Sequence, residues 1–248
     1  MHAVKDHIFA FEVAFEKLSK GRFWTYIIPS LVVAILFYGI FSFIGGLSEG
    51  AEVASGIPLL GDYIVTGVQK TLSLVDALTF QLYKFFILTI LSPVNCLLSE
   101  KTDNELTGAR FSGGLTRIIT DLFRALLLVL FALLLNLLAM GAWWLIAKIT
   151  GFHLLDNVIY FLTGAFFLGF SFYDYSLERY GMSFAGTIRF GFDHIPHMLL
   201  TGVLFSLIFM IPVAGIIFAP FLLTILSTIV YVRMTGRIPH QTTNSIQQ

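Results

Sequence analysis

"MLLTGVLFSLIFMIPVAGIIFAPFLLTILSTIVYV", residues 198–232, carries no charged side chain and is interrupted by Pro212, Gly215 and Pro220. A helix needs about 20 apolar residues to cross a hydrocarbon core ~30 Å thick. The interruptions cut the stretch into two arms of roughly a dozen residues each, both short of that length. The pattern predicts a re-entrant hairpin with its non-helical tip buried in protein, because lipid cannot satisfy freed backbone groups. A kinked pair of tilted spans is the other arrangement the pattern allows.

Composition identifies lipid as the solvent. Of 248 residues, 57% are hydrophobic and 12% charged, whereas soluble domains carry about 25% charged residues. Phe alone occurs 26 times. A soluble fold of this size would expose much of that surface and aggregate. The chain therefore reads as an all-α integral membrane protein. Fifteen Lys+Arg balance 15 Asp+Glu, which gives no electrostatic footing for nucleic acid. The single cysteine, Cys96, rules out an intrachain disulfide and reads as a small packed residue. "MHAVKDHIFAFEVAFEKLSKGRF" (1–23) has charges where a signal peptide would be apolar, so no cleavable signal is expected.

Ile8, Phe11, Phe15 and Leu18 recur at helical spacing, with Lys5, Glu12, Glu16 and Lys20 between them. This is an amphipathic helix, lying in the membrane interface or covering other helices. Phe23 to Ser48 is free of charge and long enough to span, with Pro29 in its first turns and Gly45-Gly46 at its end. A second apolar stretch, about 71–98, contains Asp76 and Lys84. Apolar blocks follow at 125–147, with Asn136 and Gly141 inside, and at 158–173.

Basic residues cluster in four places: Lys5, Lys17, Lys20 and Arg22; Lys101, Arg110, Arg117 and Arg124; Arg179 and Arg189; Arg233 and Arg237. Two crossings followed by two hairpins, or by two pairs of crossings, put all four on one face. The positive-inside rule makes that face cytoplasmic, with both termini.

Three stretches stand out in order: "SPVNCLLSEKTDNELTG" (92–108), "YDYSLERYGMSFAGTIR" (173–189) and "MIPVAGIIFAPF" (210–221). Together they resemble the CysZ-type sulfate permeases, which share a family with the eukaryotic etoposide-induced membrane proteins. Pro93, Asn95, Leu97, Leu98, Glu100, Leu106, Thr107 and Gly108 match the first family stretch. Asp174, Tyr175, Phe184 and Arg189 match the second, and Ile211, Pro212 and Pro220 the third.

The resemblance implies a single membrane domain over 1–240: an interfacial helix (1–22), two long transmembrane helices (23–98), and two hairpins that do not fully cross (125–173 and 198–232). A polar tail (241–248) follows. It implies a homo-oligomer in a bacterial inner membrane and passive entry of sulfate for cysteine synthesis. A membrane scaffold or remodelling protein of the same family is the alternative. The family's Gly-x-Arg-Arg-like signature, thought to bind sulfate, is altered here. In "GRFWTYIIPS" (21–30) Gly21 matches, Arg22 falls one residue early, and Phe23 and Trp24 occupy the arginine positions. Gly21 would let an oxyanion approach free N–H groups at a helix start, with Arg22 as a charged fork. The other reading is a juxtamembrane Arg beside an aromatic anchor.

Pro93 is expected to end regular helix, and Asn95 to supply partners for the freed groups. Asn95 and Glu100 then line the cytoplasmic mouth of an anion pathway, with Arg110 countering Glu100. In the plainer reading, Asn95 staples helix ends and the acids are a solvated face. Asp174 and Tyr175 sit at a membrane boundary as a structural lock, and Glu178 pairs with Arg179 locally or across a subunit contact. His194 and His197 lack a third ligand, so no metal site is expected. No other cofactor is expected either. There is no nucleophile elbow, glycine-rich phosphate loop or HExxH, so the sequence reads as a non-enzyme and ATP is not its direct energy source.

Overall fold

The computed structural model describes the backbone of residues 2–36, 61–109, 115–211 and 214–238, and their side chains except those of 61–81, 115–119 and 121–122. The expected continuation of the first span beyond residue 36, the Gly45-Gly46 stop, Arg110, Pro212 and the tail at 241–248 lie outside the described residues. Eight helices occur within them: α1 (His2–Ser19), α2 (Trp24–Leu36, its first turn 3₁₀), α3 (Gly61–Thr107), α4 (Leu115–Thr150), α5 (Asp156–Arg179), α6 (Phe184–Asp193), α7 (Ile195–Phe209) and α8 (Ala214–Met234). No strand is present among the described residues.

Among the described residues, four helices are long and apolar enough to cross a membrane: α3 from Leu82, α4 from Phe123, α5 and α8. The all-α membrane architecture is thus as the sequence indicates, but two proline readings are corrected. Pro93 lies inside α3, which continues to Thr107. Pro220 lies inside α8, which runs for 21 residues. In a membrane, packed neighbours and hydroxyl side chains re-satisfy the groups that proline frees, so the helix carries on. The premise that both arms of 198–232 are short holds for α7, at 15 residues, and not for α8. α6 and α7 meet at 87°.

α5 is the hub of the packing and contacts α3, α4, α6, α7 and α8. Its residues 164–177 are all buried, as are 219–232 of α8 apart from partly buried Leu222. The closest approach is between α5 and α7. A Cβ on Gly202 would lie 1.6 Å from the Ala165 carbonyl oxygen, and one on Gly169 would lie 1.9 Å from that of Met198. The two backbones touch because both positions lack side chains, the usual device where apolar burial gives helices no reason to associate.

α1 covers other helices, packing on α7 and α8. Its small residues Ala3, Ala10 and Ala14 pack inward with His7, while Val4, Ile8, Phe11 and Phe15 stay exposed along the opposite side. Those exposed residues recur at helical spacing and form an apolar stripe suited to the acyl boundary.

The backbone contact at Gly202 yields a stability prediction. Gly202→Ala is expected to cost about 2 kcal/mol or more, because neither helix can yield without unpacking the hub. Gly141→Ala in α4, where an added Cβ meets nothing, is expected to be neutral or stabilising by up to ~1 kcal/mol. Thermal melting in detergent compares the two.

Candidate functional site

Lys84, Ser92, Asn95, Ser99 and Asp103 fall on one side of α3, within about a third of its circumference at 100° per residue. All five are buried. The stripe faces α5, α7 and α8, whose own polar groups answer it. Lys84 Nζ donates to Ser206 Oγ on α7 at 3.4 Å. Ser99 Oγ pairs with Thr228 Oγ1 on α8 at 2.8 Å and with Ser176 Oγ on α5 at 3.5 Å. Ser92 and Asn95 neighbour the Tyr175 hydroxyl. Ser92 Oγ, Asn95 Nδ2 and Tyr175 Oη are buried without completing a hydrogen bond.

A buried ion pair closes one end of the stripe. Arg179 donates to Asp103 Oδ2 at 2.8 Å, to Ser99 Oγ at 2.7 Å, and to the Ser99 and Tyr175 carbonyls at 3.2 Å each. Their side chains are 4% and 0% exposed. Tyr180 donates to Asp103 Oδ1 at 2.9 Å. Burial and the Asp103 charge push the Tyr180 hydroxyl up to about 12, so it keeps the proton it donates. Arg237 stacks over the Tyr180 ring at 3.7 Å.

Within the described residues of one chain, Glu178 and Arg179 take separate partners. Adjacent residues on a helix diverge by about 100°, and each finds its own partner. Glu178 turns to Arg124 of α4 at 3.7 Å, which also approaches Asp174 at 3.7 Å. Arg124 Nη2 donates to the Met182 carbonyl at 2.7 Å and to Thr187 Oγ1 at 3.2 Å. Asp174, 1% exposed, accepts no hydrogen bond on either oxygen. Asn95, 1% exposed, lies inside the bundle. Glu100 is half-buried, and among the described residues it forms no ion pair.

The acid that does gather cations is Glu105. Arg22 Nη1 lies 3.0 Å from its carboxylate, Lys17 Nζ 3.5 Å and Lys101 Nζ 3.7 Å. Glu105 is largely buried, while Arg22 and Lys101 are 56% and 52% exposed. The cluster carries excess positive charge towards the outside.

Gly21 has a role in closing α1. With φ at 76°, Gly21 ends α1: its N–H donates to the Leu18 carbonyl at 3.0 Å, and that of Arg22 to the Lys17 carbonyl at 3.2 Å. This is the Schellman closure that favours glycine, and it occupies the N–H groups of Gly21 and Arg22. Phe23 follows in the same left-handed region, at φ 71° and buried, a conformation that costs an L-residue about 1–2 kcal/mol. Gly108, φ 69°, likewise caps α3 with a bond to the Asn104 carbonyl.

A second polar group docks α1 onto α7 and α8. Asp6 meets Arg233 at 2.9 Å and His197 at 3.1 Å. His7 lies between the Ala3 carbonyl and Thr201 Oγ1, both at 2.8 Å. His194 Nδ1 instead contacts the Phe190 carbonyl at 2.9 Å. Sequence reasoning missed His7, although its spacing with Ala3, Ala10 and Ala14 marks the packed face.

The chain matches the family model described as "Sulfate transporter CysZ/Etoposide-induced protein 2.4" over residues 10–220. It belongs to that family. No curated protein and no solved structure gives a significant match. Two motif stretches that carried the resemblance meet in space: Asp103 and Ser99 of the first bind Arg179 and Ser176 of the second.

Two predictions follow from these contacts. Arg179→Met leaves Asp103 buried without its cation and is expected to cost about 3–5 kcal/mol, with part recovered in Asp103→Leu/Arg179→Met. Thermal melting of the three proteins tests this. For His7, burial lowers the imidazole from its ordinary value of 6.5, so the docked state favours the neutral ring. Docking of α1 is then full above about pH 6.5 and weakens as pH falls below it. Hydrogen exchange of the α1 amides across pH 5 to 8 is expected to show this, and His7→Gln to flatten it.

Proposed function

We propose that the protein is a permease, channel or uniporter, for sulfate or a related small oxyanion, supplying sulfur assimilation. The observation that carries this reading is the cluster around Glu105, where three cations face one carboxylate and the two outer ones are half exposed. Such a cluster attracts a dianion and replaces part of its hydration. Arg22 keeps its place as an anion contact through its guanidinium, without help from the Gly21 backbone.

The polar side of α3 is the wall of the route on this reading. Ser92, Asn95 and Tyr175 offer hydroxyl and amide groups within the bilayer, and Asp103–Arg179 forms the constriction above them. Glu100 lies at the rim, with Arg110 as its proposed partner. Pro93, Gly108, Asp174, Glu178, Pro212 and Pro220 serve the fold around the route. The reading places the protein in a bacterial inner membrane with both termini cytoplasmic, as a homo-oligomer. The α4–α5 and α7–α8 helix pairs are proposed to dip into the bilayer and return.

The exposed stripe on α1 and the short α7 favour a second reading, a scaffold that wedges one leaflet without transport. Sulfate uptake into proteoliposomes separates them. The expected result is uptake above empty vesicles, lowered about tenfold by Arg22→Ala, which removes a charge-assisted contact of ~1.5 kcal/mol. Asn95→Leu is expected to slow uptake with the thermal midpoint retained. Uptake no faster than through empty vesicles would favour the scaffold.

A further inference from the structure

A cavity of about 300 Å³ opens between α1, the start of α2 and α8. Ala14, Phe15, Leu18, Trp24, Phe218 and Phe221 are among its lining residues, which are all apolar. The Trp24 and Phe221 rings lie 6.3 Å apart across it, and Trp24 Nε1 is already spent on the Leu18 carbonyl. Nothing in this cavity recognises a polar molecule.

Its rim is different. Arg22 stands in sequence between Leu18 and Trp24, both of which line the cavity. One of its nitrogens meets Glu105. The side chain is 56% exposed, and the rest of its five-donor fork is left for an outside acceptor. Lys20, 60% exposed and bonded to Glu16, and Lys101 stand in the same neighbourhood. Among the described residues, Lys17, Lys20, Arg22 and Lys101 thus pair with two carboxylates, Glu16 and Glu105. The adjoining side of α1 exposes Val4, Ile8, Phe11 and Phe15, which sets the helix at the depth where acyl chains meet headgroups.

An apolar cavity calls for an apolar occupant, and an uncompensated cationic rim for an anion. We propose that the site binds one anionic phospholipid, with an acyl chain lying between α1, α8 and Trp24 and its phosphate held by Arg22. Lys20 and Lys101 add attraction at longer range. A second copy of the chain fits less well, because a two-fold contact here would set the cationic rim against itself. A free oxyanion would satisfy Arg22 and leave the cavity unfilled. The assignment does not depend on transport, and it competes with the proposed sulfate contact for the same Arg22 guanidinium, so the sulfate-exchange arm of the test decides between them.

The test uses Trp24 as the probe. The chain has three tryptophans, so Trp143→Phe/Trp144→Phe leaves Trp24 alone in the full-length protein. This protein is reconstituted in phosphatidylcholine vesicles with a few mole per cent of phospholipid brominated on the acyl chain, as phosphatidylglycerol or phosphatidylcholine. Brominated phosphatidylglycerol is expected to quench Trp24 well beyond its share of the bilayer, and brominated phosphatidylcholine only in proportion to it. Arg22→Gln is expected to lower the preference about fivefold, the equivalent of ~1 kcal/mol for one basic residue at a membrane surface. Lys101→Gln, at an exposed position, is expected to lower it in the same direction with the thermal midpoint unchanged.

Equal quenching by the two lipids would reduce the site to bulk bilayer and overturn the proposal. Absence of quenching by either would mean that protein covers the cavity, and would overturn it too. Replacement of chloride by sulfate at constant ionic strength is expected to leave the quenching in place. Its complete reversal by sulfate would assign the cluster to the free ion. A failure of sulfate uptake leaves each of these outcomes readable.

Discussion

Hydrocarbon offers no hydrogen bonds, so each polar group that a membrane helix carries must be answered by another helix. α3 carries a row of them from Lys84 to Asp103, and this row governs how its neighbours are arranged. α5 must present Tyr175, Ser176 and Arg179 to it, and α8 must present Thr228. A rotation of any one helix by a single residue would turn its polar group to lipid and leave the α3 partner unpaired, at several kcal/mol per group. Apolar packing among Leu, Phe and Ile tolerates many registers, and this row tolerates few. The buried ion pair therefore fixes register more than it adds net stability, since its Coulombic gain largely offsets the desolvation of both ions.

The other constraint is the way the chain leaves α1. Gly21 closes the helix, Phe23 is held in the left-handed region, and the two residues turn the chain sharply into α2. Arg22 lies between them, and the turn delivers its guanidinium to Glu105 on α3. The strain at Phe23 persists because its ring is buried and Trp24 ties back to Leu18. A strained backbone held by burial on one side and a hydrogen bond on the other is an arrangement suited to presenting a charged side chain in a fixed place.

Much of this was legible in the sequence. Charge scarcity identified the solvent, and helical spacing found α1. Apolar length placed the spans of α3, α4 and α5, although α3 and α4 extend well into segments that look polar. Those extensions were missed because Glu100, Lys101, Asp103 and Glu105 resemble a loop until their spacing is counted: they are the last turns of a helix whose polar residues point at α1 and α5. Pro93 and Pro220 were misread through rules learned in water, where solvent competes for the groups that proline frees. The Asp103–Arg179 pair joins positions 76 residues apart, a separation at which no local pattern operates. The α3 stripe itself, by contrast, was readable from its positions alone, as polar residues recurring on one side of the helix from Lys84 to Asp103.

If the proposed permease reading holds, the pair limits the route an anion can take. Arg179 directs its donors at acceptors on α3 and α5 and is 4% exposed. An anion arriving beside it meets a guanidinium already engaged by Asp103, and an unchanged pair presents no net charge. A passing dianion must therefore exchange places with Asp103 on Arg179 or keep clear of the pair altogether. The exchange is feasible only if Asp103 is held by something else meanwhile, and Tyr180 supplies this, because its hydroxyl keeps its proton and donates to the other carboxylate oxygen. Thr107 Oγ1 shares its one proton between the Asp103 carbonyl at 3.0 Å and the same carboxylate oxygen at 3.2 Å. The carboxylate so held keeps the Tyr180 hydrogen bond when the guanidinium turns away, which reduces the cost of a swap that would otherwise strand a buried charge.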